Sequence, residues 1–313
     1  MDPAGRAAAA VRAILPSRGD PVCHYHPHIL LSETEMRTTY ALPVAALLAL
    51  AAPPAAAEAF RGFYFGVHGG SSTQTDDGRE ILRFDTDADG EFVDVVNSPT
   101  NPSLFRAFCG GGPNSGYVQA GCRNNFDDKA GDTGFRLGYD WQTLDLVYGV
   151  VAEHSSGGVT DNVTGFTSTL DTYTFNRELG AITSLRGRVG FTFGDGTNLL
   201  YGTAGYAWSS VDHAFTTTNT LNTFSPSTAE VDANGVVIGV GFETFVWKNF
   251  TVGLEYLSHR FSDDGFVVHA AGPGPADDPF TVDDPDGTDF RRSSRDIDVS
   301  STRLTFNARF PGW

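Results

Sequence analysis

The sequence predicts an all-β fold: an eight-stranded antiparallel up-and-down transmembrane β-barrel with short periplasmic turns and long extracellular loops. Eight segments of the 313-residue chain alternate apolar and polar side chains, and each has about the 9–11 residues of a tilted membrane strand. Tight turns and long loops follow one another strictly along the chain. We find neither a helical period of comparable strength nor a run of about 18 apolar residues that would predict a helical span.

Each segment has two distinct faces. In the fourth, Leu185 and Val189 lie on one face, and Arg186 and Arg188 lie on the other, because successive side chains of a strand point to opposite sides. An outer-membrane barrel directs its apolar face at lipid and its charges into a polar lumen, whereas a soluble sandwich would expose the arginines. In chain order the segments are residues 60–72, 133–142, 146–155, 184–193, 199–211, 235–246, 250–261 and 301–310.

The lengths of the connections decide between these two architectures. Residues 143–145, 195–198 and 248–249 are tight turns, and the other connections are long. Outer-membrane barrels place short turns in the periplasm and long loops outside, whereas a soluble sandwich has no reason to sort its loops by end. The long loops are residues 73–131, 156–177, 212–230 and 262–297.

The long loops are acidic. They contain 23 acidic and nine basic residues, and the whole chain has a formal net charge of −17. An acidic outer face repels nucleic acid, and divalent cations bridge such a face to the anionic lipopolysaccharide around it. We therefore expect outer-membrane lipid and lipopolysaccharide as partners, and no nucleic acid.

An Ala-rich segment near the N-terminus predicts export to the bacterial outer membrane. Residues 41–57 are apolar, short and interrupted by a pair of prolines, and a small-x-small cleavage pattern follows at residues 57–59. The alternative, an apolar core helix, is disfavoured by the prolines and by the flanking residues. We divide the chain into an over-extended N-terminus at 1–35, a cleaved signal peptide at 36–59 and the outer-membrane β-barrel at 60–313.

The first long loop contains two cysteines. Cys109 and Cys122 lie in a stretch rich in Gly and Asn, without a His pair at zinc-binding spacing. In an exported protein this arrangement predicts one disulfide that closes a loop, and two free thiols are the alternative.

Several strand motifs carry a family resemblance. The runs S-L-R-G-R-V-G-F, L-L-Y-G-T-A-G-Y-A, G-V-V-I-G-V-G-F-E, F-T-V-G-L-E-Y-L and T-R-L-T-F-N-A-R-F resemble the small porin-like outer-membrane barrels of alphaproteobacteria. These are similar to the eight-stranded membrane domain of the OmpA type. The resemblance covers residues 60–72 and 131–310 apart from the loops. It implies that the outer-membrane insertion machinery reads a C-terminal aromatic residue, although here Pro-Gly-Trp313 follows Phe310.

Charged residues recur on the predicted lumen faces. Five arginines and four carboxylates can form an internal ion-pair network, and an eight-stranded barrel is only wide enough for its own side chains. A plugged lumen is therefore the favoured interpretation, and a selectivity ring in a narrow porin is the alternative. The residues are Arg136, Asp140, Glu153, Arg186, Arg188, Glu243, Glu255, Arg303 and Arg309.

Four inward residues are candidates for catalysis. His68, Glu153, Glu255 and His259 are predicted near the outer ends of their strands, where they could form a metal or general-base site. Because barrel enzymes that act on lipid A keep their sites near the outer rim, a lipid-A-modifying enzyme is one alternative function. No nucleophile motif accompanies these residues, so satisfied lumen histidines are the favoured interpretation.

The first long loop also contains a calcium-loop motif. The run D-T-D-A-D-G-E-F at residues 85–92 places Asp85, Asp87 and Asp89 at alternate positions, as in a calcium-binding loop. The twelfth position, which requires a bidentate Glu, is Val96. A protruding hairpin is therefore favoured over a weak Ca²⁺ site in an extracellular loop, and no other cofactor is expected.

These observations favour a structural and surface-interaction role over an enzyme or a porin. On this interpretation the lumen is plugged by ion pairs, and the acidic loops face outward toward a host or surface ligand.

Overall fold

The regular structure of the described residues is entirely β. The computed structural model describes residues 58–75, 80–94, 96, 129–166, 171–263, 265–274 and 278–310. Within these ranges, no helix is long and apolar enough to cross a membrane. The strands are β1 (Gly62–Gln74), β2 (Leu82–Asp85), β3 (Ala130–Thr143), β4 (Leu146–Ser155), β5 (Val159–Phe166), β6 (Thr172–Leu179), β7 (Ile182–Phe193), β8 (Asn198–Thr217), β9 (Thr223–Pro226), β10 (Glu230–Trp247), β11 (Phe250–Ser262), β12 (Val267–Ala271), β13 (Thr288–Arg292) and β14 (Asp296–Phe310).

Eight of these strands close into a ring. The wall runs β1–β3–β4–β7–β8–β10–β11–β14 and returns to β1, with every neighbouring pair antiparallel. The closing pair joins the two ends of the chain's barrel segment, since Phe63 pairs with Phe310. The predicted eight-stranded antiparallel up-and-down barrel is confirmed, and closure satisfies both edges of each wall strand.

The two faces of the wall also follow the predicted alternation. Phe63 and Phe65 are about half exposed, whereas Tyr64 between them is fully buried. On β7, Leu185 and Val189 face outward and Arg186 faces the lumen, where it is 1% exposed. Apolar side chains thus cover the outside of the barrel, and the polar side chains lie inside it.

The second predicted long loop is largely a continuation of the wall. Strand β5 pairs with β6 beyond the point where β4 pairs with β7. Strand β6 then pairs with the outer part of β8, from Leu179 opposite Val211 to Tyr173 opposite Thr217. The β4–β7 hairpin therefore extends outward past a short break, so most of residues 159–179 form a sheet where the sequence predicts only a loop.

The other loop strands form a second sheet with the order β2–β13–β12–β9. Aromatic side chains fill the space between this sheet and the β5–β6 extension, and most of them are buried. This core contains Phe84, Val96, Val163, Tyr173, Phe175, Phe266, Val268, Ala270, Phe280 and Phe290, with Leu82, Phe215 and Phe224 packed against it. We call strands β2, β5, β6, β9, β12 and β13 the cap.

Three predictions lie mostly or wholly outside the described residues. The N-terminal extension at 1–35 falls there, and so does the signal peptide at 36–59 except for its last two residues. Cys109 and Cys122 lie there as well. The structure therefore does not test the N-terminal extension, the signal peptide or the disulfide.

Candidate functional site: the barrel lumen

The nine charged residues predicted to face the lumen are all buried there, and none is more than 4% exposed. They form two groups along the barrel axis, because their positions on the strands fall at two distances from the periplasmic turns. The lower charge ring, nearer those turns, consists of Asp140, Arg188, Glu243 and Arg309. The upper charge cluster consists of Arg136, Glu153, Arg186, Glu255 and Arg303.

In the lower charge ring each arginine bonds to both carboxylates. Arg188 donates from Nε to Asp140 Oδ1 at 2.8 Å and from Nη1 to Glu243 Oε2 at 3.0 Å. Arg309 donates from Nε to Glu243 Oε1 and from Nη2 to Asp140 Oδ2, both at 2.9 Å. The four charges come from β3, β7, β10 and β14, so the ring spans the lumen and has no formal net charge.

Aromatic rings enclose the arginines of this ring. The Cζ atom of Arg188 lies 4.6 Å from the Tyr64 ring centroid and 4.9 Å from that of Tyr201. Such cation–π contacts are stronger where water is excluded. Gly138 and Gly241 make room for the two tyrosines, because a Cβ atom at either position would overlap the facing ring.

The upper charge cluster also crosses the lumen. Arg136 donates from Nη2 to Glu153 Oε2 at 2.6 Å and to Glu255 Oε2 at 2.5 Å. Arg186 Nη2 lies 2.7 Å from Glu153 Oε2, and Arg303 Nη1 lies 2.8 Å from Glu153 Oε1. Both carboxylates are therefore shared among three arginines, and Tyr201 also donates its hydroxyl to Glu255 Oε1 at 2.9 Å.

Asp132 belongs to this cluster although sequence reasoning missed it. It is 2% exposed, and its Oδ1 lies 3.1 Å from Nε2 of His68 and 3.8 Å from Nη1 of Arg303. It supplies a fifth carboxylate for the five lumen arginines. Two signals were available: the alternation of inward-facing residues through Arg136 and Gly134 continues to Asp132 at the outer end of β3, and the predicted lumen charges lacked one anion.

The candidate catalytic residues lie near one another, but three of them, His68, Glu153 and Glu255, take part in the ion-pair cluster. His68 lies between Asp132 and Arg303, with its Nδ1 3.9 Å from Glu153 Oε2. His259 stacks on Phe261 with 5.8 Å between ring centroids, and its buried Nδ1 lacks a partner in the described structure. With Glu153 and Glu255 held by arginines, the arrangement is a salt-bridged core.

An apolar layer fills the lumen outward of the upper charge cluster. Its members come from the wall strands and from the end of the β5–β6 extension nearest the wall, where Val159 pairs with Leu179. They are Val159, Leu179, Ile182, Ala207, Val211, Ala233, Val237, Leu257, Phe261, Ile297 and Val299. Along its axis the barrel is therefore occupied by a charged ring, a second charged cluster and an apolar layer.

The candidate cation ligands lie away from the lumen, in the turn after β2. In the described part of the chain, one group of three or more His, Cys, Asp or Glu residues has ligand atoms within 4.8 Å of one another, and it consists of Asp85, Asp87 and Asp94. Asp94 thus takes the place that the sequence motif assigned to Asp89. Of the favoured hairpin, the described residues show one bridge, between Phe84 and Asp94.

A closed antiparallel ring with an apolar outside and a charged inside defines a transmembrane barrel of the outer-membrane type. The family described as "Outer membrane protein beta-barrel domain" matches residues 42–290. The chain belongs to this family, and its place is the bacterial outer membrane, in contact with lipid and lipopolysaccharide.

Solved structures of similar proteins have low sequence identity to the chain. OprG from Pseudomonas aeruginosa is 13% identical, with 80% of this chain and 97% of that chain covered and a TM-score of 0.43. Ail, the attachment invasion locus protein of Yersinia pestis, is 12% identical, with 77% and 99% covered and a TM-score of 0.24. The outer membrane protease OmpT from Escherichia coli is 10% identical, with 80% and 97% covered and a TM-score of 0.37. No curated protein matches the chain.

Proposed function

We propose that this protein is a structural outer-membrane barrel that does not conduct and that carries a folded cap for surface interaction. The observation that supports it most is the set of ion pairs that cross the lumen. Arg136 on β3 bonds to Glu255 on β11, and Arg303 on β14 bonds to Glu153 on β4. In each case two other strands lie between the partners along the wall, so the side chains cross the interior.

The cap has its own charged network in addition to its aromatic core. Arg177 donates from Nε to Asp161 Oδ2 at 2.5 Å, and Arg292 donates from Nη2 to the same oxygen at 2.5 Å. Arg292 also pairs with Glu80. Burial raises the pKa of the Asp161 carboxyl, but the charges of Arg292 and Arg177 outweigh it and hold that pKa below its usual value.

This network joins the cap to the barrel. Arg177 also donates to the backbone oxygen of Asp296 at 3.0 Å, at the start of β14. The β2–β13 pair, the β5–β6 extension and the wall are therefore held together. A surface built in this way is suited to present a fixed face outward, because its side chains are ordered before a ligand binds.

The two alternative functions receive less support. A narrow porin requires an open path, whereas the lumen contains two charged layers and an apolar one. A lipid-A-modifying enzyme requires a free base at the rim, whereas Glu153 and Glu255 are each shared by arginines. Neither the His68–Asp132 pair nor His259 is accompanied by a serine or threonine nucleophile motif.

The family position, the export route and the ligand of the cap are proposed from the sequence alone. The strand motifs support a position among the small porin-like barrels of alphaproteobacteria. Export by a cleaved signal peptide at 36–59 and recognition of the last strand by the insertion machinery belong to the same proposal. The ligand of the cap is a host or surface molecule, and the acidic loops favour a cationic ligand or one bridged by divalent cations.

A deletion strain tests this function. We expect unchanged lipid A mass spectra, unchanged permeability to small hydrophilic solutes and reduced attachment to surfaces or host cells. Complementation with wild type should restore attachment, whereas Phe290→Ala, which removes the centre of the cap core, should not. Phe306→Ala, on the lipid-facing side of β14, is the matched control and should restore it. A lipid A or permeability change that wild type reverses would contradict the proposal.

A further inference from the structure

The turn after β2 brings three carboxylates together without a salt bridge to a basic side chain of the described residues. Ligand oxygens of Asp85, Asp87 and Asp94 lie within 4.8 Å of one another. Within the described residues, none of the three forms an ion pair with a Lys, Arg or His side chain. The positive charge of Arg291 on β13 acts on Asp85, but its guanidinium stacks over Phe92, with Cζ 3.8 Å from the ring centroid.

Of the three carboxylates, that of Asp85 is the most buried and has an oxygen without a hydrogen-bond donor. Its side chain is only 3% exposed, and Oδ2 accepts a hydrogen bond from the backbone N of Gly90 at 2.9 Å. The other oxygen, Oδ1, is buried without a hydrogen-bond partner. A buried carboxylate oxygen without a donor costs free energy, and a bound cation would remove that cost.

The neighbouring strand adds to the negative charge. Asp85 lies directly opposite Asp289 in the β2–β13 register, and like charges at such positions repel each other. Asp289 already has a partner in His269, since Nδ1 of that ring lies 2.6 Å from Asp289 Oδ1. Asp85 has no equivalent partner on its own strand.

Backbone and hydroxyl donors hold the Asp94 carboxylate in place. Thr86 donates to Asp94 Oδ2 from its backbone N at 2.8 Å and from Oγ1 at 3.3 Å. The Asp94 backbone N bonds to the Phe84 backbone oxygen at 3.0 Å. Asp94 is therefore fixed beside Asp85 by contacts that leave its negative charge uncompensated.

We infer that Asp85, Asp87 and Asp94 form a site for a divalent cation with a preference for oxygen ligands, and that Ca²⁺ is its ligand. Ca²⁺ takes 6–8 oxygen ligands in flexible geometry, and extracellular sites of this kind bind with Kd values of about 10⁻⁴–10⁻³ M. Three carboxylates and water molecules suit such a weak site. The bound ion would fix the 86–94 turn on the cap sheet, and this inference does not depend on whether the lumen conducts.

The test is calorimetric titration of CaCl₂ into the refolded full chain in detergent, after treatment with EDTA and at fixed ionic strength. We expect one saturable site in the wild type. Asp94→Asn and Asp85→Asn should each weaken binding at least tenfold, because they remove a ligand charge. Asp87→Asn changes an exposed residue and so tests the site without disturbing packing; it should weaken binding at least fivefold.

Asp89→Asn and Asp283→Asn are the matched controls. Both residues are exposed acidic side chains of the loops, and Asp89 is the ligand that the sequence motif favours over Asp94. We expect less than a threefold change for each. A wild type without saturable binding, or equal affinities for Asp94→Asn and Asp89→Asn, would overturn the inference.

Discussion

Nη1 of Arg303 lies 2.8 Å from Oε1 of Glu153, although β14 and β4 are separated by two strands of the barrel wall. Such a contact can form only through the interior of the ring. Because both side chains are buried, removal of either one would leave the other as an uncompensated buried charge. The stability of the barrel and the proposed lack of conductance should therefore have the same structural origin.

Removal of one charge from the lower ring should destabilise the barrel. Arg188→Ala leaves Asp140 and Glu243 without one of their two arginines, and an uncompensated buried charge costs about 3–5 kcal/mol. Arg260→Ala is the matched control, because Arg260 pairs with Asp298 at the exposed surface, where a pair contributes about 0–1 kcal/mol. Urea unfolding in lipid vesicles, followed by tryptophan fluorescence, measures both. Equal losses for the two variants would contradict the role of the ring.

The packing of the lumen tyrosines can be tested at glycine positions. A Cβ atom at Gly138 would overlap the Tyr64 ring, whereas at Gly187 the nearest atom is 3.9 Å away. Overpacking of a filled interior costs about 1–3 kcal/mol, so Gly138→Ala should lower the free energy of unfolding by that amount. Gly187→Ala should change it by less than about 0.5 kcal/mol. A Gly138→Ala variant as stable as the wild type would mean that the lumen has spare room.

Acid should loosen the cap. Asp161 has a pKa below its usual value in the folded cap, so its ionised form contributes stability above the ordinary pKa of about 4. This contribution is lost as the pH falls through the folded pKa. Hydrogen exchange at residues 159–179, corrected for intrinsic rates, should therefore show weaker protection at pH 3 than at pH 7.

Asp161→Asn should remove most of this pH dependence and weaken the cap already at pH 7. Asp298→Asn, in the exposed pair with Arg260, is the control and should behave as the wild type. Identical pH profiles for Asp161→Asn and the wild type would show that another group controls the cap.

The predicted disulfide between Cys109 and Cys122 remains to be tested by mass spectrometry of the unreduced protein. We expect a single linked peptide and little thiol labelling. A bond that closes a loop of about 15 residues contributes about 3 kcal/mol in the chain-entropy model. Reduction should leave the barrel intact, because the strand ladder holds the wall, and full labelling of both thiols would refute the bond.

The sequence predicts the wall well and the cap poorly, for a physical reason. In the wall, each strand is long enough for alternation to place Arg188 inside and Val189 outside. The cap strands β2 and β13 have four and five residues, too few for a clear period, and they pair across some 200 residues of chain. Their contacts depend on an aromatic core around Phe290 that forms only when four loops meet.

The ligands of the proposed cation site were also only partly predictable from the sequence. The motif places Asp85, Asp87 and Asp89 at calcium-loop spacing, but the backbone bridge between Phe84 and Asp94 decides which carboxylate reaches Asp85. That bridge is a property of the folded turn and has no signal in residue spacing. Asp132 was predictable in principle, because it continues the alternation of its strand.

The most direct test of the plugged lumen is planar-bilayer conductance of the refolded wild type. We expect a barrel that inserts, shows heat-modifiable mobility and gives no reproducible conductance steps. Glu255→Ala removes a carboxylate that Arg136 and Arg186 share, so this variant should form a less stable barrel. Its conductance is to be compared with that of the wild type. Steady, reproducible open steps in the wild type, altered by Glu255→Ala, would contradict the plugged lumen and favour a narrow porin.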